Sequence, residues 1–256
     1  MSTAMSPSEA GLLRSEAVVD SFSRAARTYL KYAQVQVEMA RWLSQWLPPG
    51  RRGAALEIGA GPGIFTERLI PWEGRLLATD LSDAMCAAGQ LRVPQAEWRV
   101  MAAEAPSGGP WDWIFSSSML QWAADPASTL AAWEACLAPG GRVVAGLFAA
   151  ESLSEWAALS GESPPVTWRT PEEWRQALEG AGLRLLREDS VKRVFCYRSG
   201  LDFMRSIHGI GGAPGRRHGP GSLRRLIGQY EARHGGPGGV WASWSFYRFE
   251  AVRRGA

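Results

Sequence analysis

Leu56-Glu57-Ile58-Gly59-Ala60-Gly61-Pro62-Gly63 is the stretch on which the fold turns. Ala54 to Ile58 is a short apolar run holding one carboxylate. A turn of glycines and a proline follows, and Ile64 to Ile70 reads as the opening of a helix. Strand, tight glycine turn and helix together build a small-molecule site at a strand's carboxyl end in open α/β sheets. Glycine suits the turn because its backbone reaches positive φ and lets a ligand come close.

The pattern argues against a dinucleotide. The pyrophosphate fingerprint wants a third glycine three places after the second, and Ile64 stands there. Pro62 has no N–H to offer a phosphate. Glu57, just ahead of the turn, repels a pyrophosphate and suits a cation. S-adenosylmethionine carries an ammonium and a sulfonium. The next apolar run, Arg75 to Thr79, ends in Asp80, about twenty residues past the first glycine, where an acid binds ribose hydroxyls. Ser82 then fits the N-cap of a helix from about Ala84 to Leu91.

Composition sets the outer bounds. A chain of 256 residues with 46% hydrophobic content has ample material for one α/β domain, with a small cap at most. The net charge is +3 and carried almost wholly by arginine, Lys31 and Lys192 being the lysines. With no long basic run, nucleic acid is not expected as a partner. Cys86, Cys136 and Cys196 are widely spaced, which suits reduced thiols in a cytoplasmic protein and no metal site. Met1 to Ala10 lacks a signal peptide's apolar centre, and no apolar run is long enough to span a bilayer.

Outward from the glycine turn, helices are expected over Val18–Tyr29 and about Ala33–Leu47, stopped by Pro48-Pro49-Gly50. Trp98–Met101, Trp111–Ser118 and Arg142–Phe148 read as strands three to five, with a helix about Ala127–Leu137 between the last two. Two helices follow, about Leu153–Leu159 and Pro171–Ala181, the second with Thr170 and Glu173 at capping-box positions. Leu183–Tyr197 suggests a bent sixth strand, and Ala242–Val252 a last one.

The glutamate, glycine turn and spaced aspartate resemble the class I S-adenosylmethionine-dependent methyltransferases. Two further stretches sharpen the resemblance. Ser21-Phe22-Ser23-Arg24-Ala25-Ala26 through Tyr29, Tyr32-Ala33 and Gln36 is similar to the amino-terminal signature of the biotin-pathway methyltransferases, and Gly200-Leu201-Asp202-Phe203-Met204-Arg205-Ser206-Ile207-His208-Gly209-Ile210-Gly211-Gly212 to their later one. The resemblance implies one Rossmann-like domain over 1–256, its seven-stranded sheet mostly parallel with an antiparallel last strand. A helical lid would span 13–47, the cofactor core 53–150 and a helical substrate-cap insert 198–240.

It also implies the chemistry: a methyl passes from S-adenosylmethionine to the free carboxyl of malonyl-acyl carrier protein, or of malonyl-coenzyme A, leaving S-adenosylhomocysteine. No metal is implied. Gln36, Glu57, Gly59, Gly61, Gly63, Asp80, Leu81, Ser116 and Ser117 would hold the cofactor. Ala102 stands where many class I members have an acid for adenine, so Ala103 and Glu104 are expected to take that contact. Arg205, Tyr29, Trp122 and His208 would meet the acceptor, with Arg205 gripping its carboxylate as a two-pronged fork. Arg216, Arg217 and His218 would add positive potential or form a solvated loop. Asp112 is expected to be structural. A carboxylate is ionised at neutral pH, with an ordinary pKa of about 4, so no general base is named. A methyltransferase for a free polycarboxylate such as trans-aconitate, and a non-catalytic S-adenosylmethionine-binding protein, are the competing readings.

Overall fold

A computed structural model describes residues 17, 19–161, 166–212 and 219–254. The expected loose tail at 1–12, and Arg216, Arg217 and His218, lie outside the described residues.

Eight strands make one sheet in the order β3-β2-β1-β4-β5-β8-β6, with the two-residue β7 paired to β8. The strands are β1 (Ala55–Ile58), β2 (Leu76–Asp80), β3 (Glu97–Val100), β4 (Trp111–Ser117), β5 (Leu137–Phe148), β6 (Leu183–Tyr197), β7 (Gly235–Gly236) and β8 (Gly239–Arg253). Pairing is parallel from β3 across to β5. β8 runs antiparallel to both β5 and β6. The Rossmann-like class is as expected, with β7 an addition. The order reverses between β1 and β4, which is where open α/β sheets leave a crevice for ligands.

Every residue of β1 is buried, as befits a strand covered on both faces. Below it packs one core of Leu56, Ile114, Trp133, Val143, Trp174 and Tyr247, and above it a second of Leu43, Phe65, Ala78, Phe115 and Val144. Ser82 caps α5 (Asp83–Arg92) by accepting from the Met85 amide at 3.2 Å. Thr170 and Glu173 form the expected capping box on α8 (Pro171–Gly180). Asp112 is structural, accepting from the Ala54 amide at 2.8 Å. β6 is one continuous strand, with a register shift between Leu185 and Arg187.

The amino-terminal helix is broken where one was expected. Helical residues 19–25 (α1) end in a turn at 26–28 before α2 (Tyr29–Tyr32) and α3 (Gln34–Leu43). The break brings this segment down onto α9 (Gly200–Gly209). Ser21 Oγ donates to the Gly211 carbonyl at 3.1 Å, and Thr28 Oγ1 to the Gly209 carbonyl at 3.1 Å. Gly209 has no side chain because the Tyr32 ring occupies that space. The two signature stretches of the sequence are thus one packed unit. α7 (Ser154–Ser160) and α10 (Pro220–His234) complete it, burying Phe203 against their Trp156 and Tyr230 and against Tyr197 at the end of β6.

The far end of this amino-terminal helical segment is fixed by Arg248 of β8. Its guanidinium lies over Trp42 and Trp46, 4.0 and 4.2 Å from the ring centroids. It also donates to the Trp42 carbonyl at 2.5 Å and to Asp189 at 2.9 Å. Hydrogen bonds from a charged donor and cation–π contacts together predict that Arg248→Ala lowers unfolding free energy by about 2–4 kcal/mol, read from urea melts.

Candidate active site

The carboxyl ends of β1, β2 and β4 open into a cavity of about 160 Å³, and a second of about 100 Å³ adjoins it. Phe22, Tyr29, Gln36, Ser118 and Trp122 line both. The first is core-built, from the glycine turn, Asp80–Ser82, Ala103–Glu104 and Ser117–Met119. The second is built from α1, α7, α9 and β8, and is walled by Phe148, Trp156, Trp168, Phe203 and Trp244.

The first chamber is built around two acids. Asp80 accepts from the Gly61 amide and from the Ser82 amide, each at 2.9 Å, which ties the glycine turn to the second strand's end. Glu57 is fully buried, and its Oε2 has no hydrogen-bond partner among the described residues. Burial pushes the Glu57 carboxyl up to about 8 against the pull of the Thr66 hydroxyl, with the Asp80 carboxylate adding to the rise. Burial also raises Asp80, against the pull of its amide partners. Two acids in a glycine cradle, one buried and one half-buried, suit a ligand with one cationic end and hydroxyls at the other. Gly59 has φ of +71, and a Cβ there would strike Met119.

The expected cofactor residues divide. Gln36, Glu57, Gly59, Gly61, Asp80, Leu81, Ala103, Glu104 and Ser117 line the first chamber. Gly63 does not; a Cβ on it would meet Val93 and Trp98, so it serves the packing of α5 and β3 against the turn. Ser116 does not either; its hydroxyl donates to the Ile58 carbonyl at 2.9 Å and is wholly buried between strands. Strand alternation decides this, since successive side chains point to opposite faces.

The acceptor residues divide too. Tyr29 and Trp122 stand at the junction, and Phe22 meets Trp122 edge-on at 5.3 Å. His208 lines the second chamber. Arg205 lines neither. It sits on the outer face of α9, 3.5 Å from Asp202, with its side chain 58% exposed. Helical spacing explains the placement: Phe203, Met204 and Ile207 take the inward face. Burial and Asp80 hold the Tyr29 phenol well above its ordinary range, so it remains a donor at neutral pH. Gln121, expected with Trp122 near the transferred methyl, lines the second chamber, and Ser118, which the sequence did not single out, lines both. Each has a buried oxygen without a partner among the described residues, Oγ of Ser118 and Oε1 of Gln121. Gln36 Oε1 is in the same condition. Buried polar atoms are nearly always satisfied in folded proteins, so this cluster at the junction points to ligands.

Residues 29–188 match the family model described as "Methyltransferase domain". The chain belongs to that family and is an S-adenosylmethionine-dependent methyltransferase of the class I fold. Its particular kinship is with the malonyl-carrier methyltransferases: it is 30% identical over 249 residues to the malonyl-[acyl-carrier protein] O-methyltransferase of Hahella chejuensis, covering 89% of this chain and 87% of that one. A trans-aconitate 2-methyltransferase of Azoarcus sp. is 33% identical over 117 residues, 44% of this chain and 46% of that one. The YcgJ protein of Bacillus subtilis shares the fold, with a TM-score of 0.63 at 14% identity over 86% of this chain and 99% of that one.

The titration of Glu57 gives a signed expectation. With its pKa raised to about 8, Glu57 is mostly neutral at pH 7 before ligand binds. A cation beside it favours the carboxylate, so binding expels a proton. S-adenosylmethionine affinity should therefore rise with pH toward about 8 and then level off. Calorimetry in buffers of different ionisation enthalpy reads the proton directly. Glu57→Gln should remove the proton release and weaken binding by about 10- to 100-fold, the scale of a charge-assisted hydrogen bond. Without ligand the sign runs the other way. The fold favours neutral Glu57, so this group's contribution to stability is full below its ordinary pKa of 4.5 and is lost as pH rises through about 8.

Proposed function

We propose that the enzyme methylates the free carboxylate of a malonyl thioester borne on an acyl carrier protein, giving the methyl ester that primes pimeloyl synthesis for biotin. The observation that carries this reading is the lining of the second chamber. Among its described residues the ionisable side chains are Tyr29 and His208, and the rest of the wall is largely aromatic and aliphatic. One carboxylate at the junction, followed by a neutral thioester tail, suits such a wall. A free tricarboxylate would bring further charges into it, and buried charges without partners are costly.

When bound, S-adenosylmethionine supplies an electrophilic methyl on a sulfonium, and the transfer leaves a neutral thioether. Glu57 would hold the ammonium end, Asp80 the ribose hydroxyls, and Ala103 and Glu104 the adenine edge. Tyr29, kept protonated by its surroundings, would donate to the acceptor carboxylate. Phe22 and Trp122 close over the junction and exclude water. No residue need take a proton, because the acceptor is already an anion. Proximity and alignment can supply roughly 7–11 kcal/mol of the barrier.

The competing acceptor is a free polycarboxylate, which the partial likeness to a trans-aconitate 2-methyltransferase favours. Incubation with labelled S-adenosylmethionine and a panel of malonyl-acyl carrier protein, malonyl-coenzyme A and trans-aconitate separates the two. The expected result is a mass-detected methyl ester on the malonyl thioester, with kcat/KM at least about tenfold above that for trans-aconitate. The reverse preference would overturn the malonyl reading. Tight S-adenosylmethionine binding without transfer to any acceptor would favour the non-catalytic one.

A further inference from the structure

Ser118 is held in an unusual state for three separate reasons. Its backbone has φ of +61, in the left-handed region that a serine seldom occupies. Its hydroxyl oxygen is buried without a hydrogen-bond partner among the described residues. It also lines both chambers, at the point where they meet.

The surroundings impose that state. The Ser118 amide donates to the Gly146 carbonyl of β5 at 2.7 Å. Its own carbonyl accepts from Gln121 Nε2 at 2.7 Å. The segment is pinned at both ends, and the side chain is delivered to the junction with its bonding capacity unused. Sparsely populated backbone conformations persist where the rest of the structure over-determines them, and they gather at ligand clamps.

We propose that the Ser118 hydroxyl donates a hydrogen bond to the acceptor carboxylate and so orients it toward the transferable methyl. This rests on the carboxyl-methyltransferase reading above. A hydroxyl is well matched to the task. It fixes the direction of one carboxylate oxygen and leaves the charge of the other to attack, where a guanidinium fork would engage both. Gln121 is then a positioning residue, holding the turn that presents the hydroxyl.

The test compares Ser118→Ala with Ser118→Gly. Both delete the hydroxyl, while glycine also removes the cost of the left-handed backbone. The readouts are kcat and KM for malonyl-acyl carrier protein, the affinity of that acceptor for enzyme loaded with S-adenosylhomocysteine, and the affinity for S-adenosylhomocysteine itself. Both variants should lose about 10- to 100-fold in acceptor affinity and in kcat/KM, mainly through KM, the scale of a hydrogen bond to a charged group. S-adenosylhomocysteine binding should change less than about twofold, since no cofactor contact is removed. A Ser118→Gly enzyme with wild-type acceptor affinity overturns the proposal, because backbone geometry alone then explains the residue. A parallel loss of S-adenosylhomocysteine binding overturns it as well. Should the wild type ignore malonyl-acyl carrier protein but methylate trans-aconitate, the malonyl reading fails. The Ser118 assignment is then decided by the same variant comparison on trans-aconitate.

Discussion

A carboxyl group with one oxygen left unpaired sits at the centre of this molecule. Glu57 is in the middle of the sheet, on a strand buried along its whole length. Leaving such a group there is expensive unless a partner arrives. The protein supplies no cation of its own among the described residues lining that chamber. Asp80, the other acid, adds to the cost and is held in place by the glycine turn it braces. At neutral pH the apo site therefore keeps Glu57 mostly protonated, and a cationic ligand favours its carboxylate. That one constraint explains the choice of a glutamate ahead of the turn and its nearness to Asp80.

That Glu57, Gly59, Gly61 and Asp80 line one candidate chamber is legible in the sequence because the arrangement is local. Glu57, Gly59, Gly61 and Asp80 follow from one strand-turn-helix and the end of the next strand, with the order of residues dictating the order in space. Ser116 and Gly63 were misplaced for reasons that locality does not settle. Which of two neighbouring serines faces a crevice depends on strand parity, and parity is fixed by pairing with β1 and β5. The glycine at 63 is required by Trp98, a neighbour from a different strand. Arg205 is the instructive case. Helical spacing alone sets it apart from Phe203, Met204 and Ile207, yet likeness to a motif drew it into the pocket. Periodicity was the better guide there. Ser118 could not have been found, since nothing in a run of three serines marks one of them as left-handed.

The two chambers differ in origin, and that difference bears on function. The first is made by the sheet and its turns. The second is made by segments more than a hundred residues apart in the chain, brought together by short bonds such as Ser21 to Gly211 and Thr28 to Gly209. A fold shared at 14% identity says nothing of the acceptor.

That division has an electrostatic consequence. If the acceptor is the proposed carboxylate, methyl transfer starts with an anion approaching a sulfonium and ends with both charges gone, so any fixed cation near the acceptor stabilises the starting state more than the transition state. An enzyme built for this reaction does better with neutral donors around the nucleophile and the charge confined to the cofactor side. The lining fits that arrangement except at His208: acids beneath the turn in the first chamber, then a phenol, a serine, one imidazole and largely aromatic and aliphatic walls in the second. Arg205 on the outer face of α9 is consistent with it, because an arginine inside would slow the step it was expected to assist.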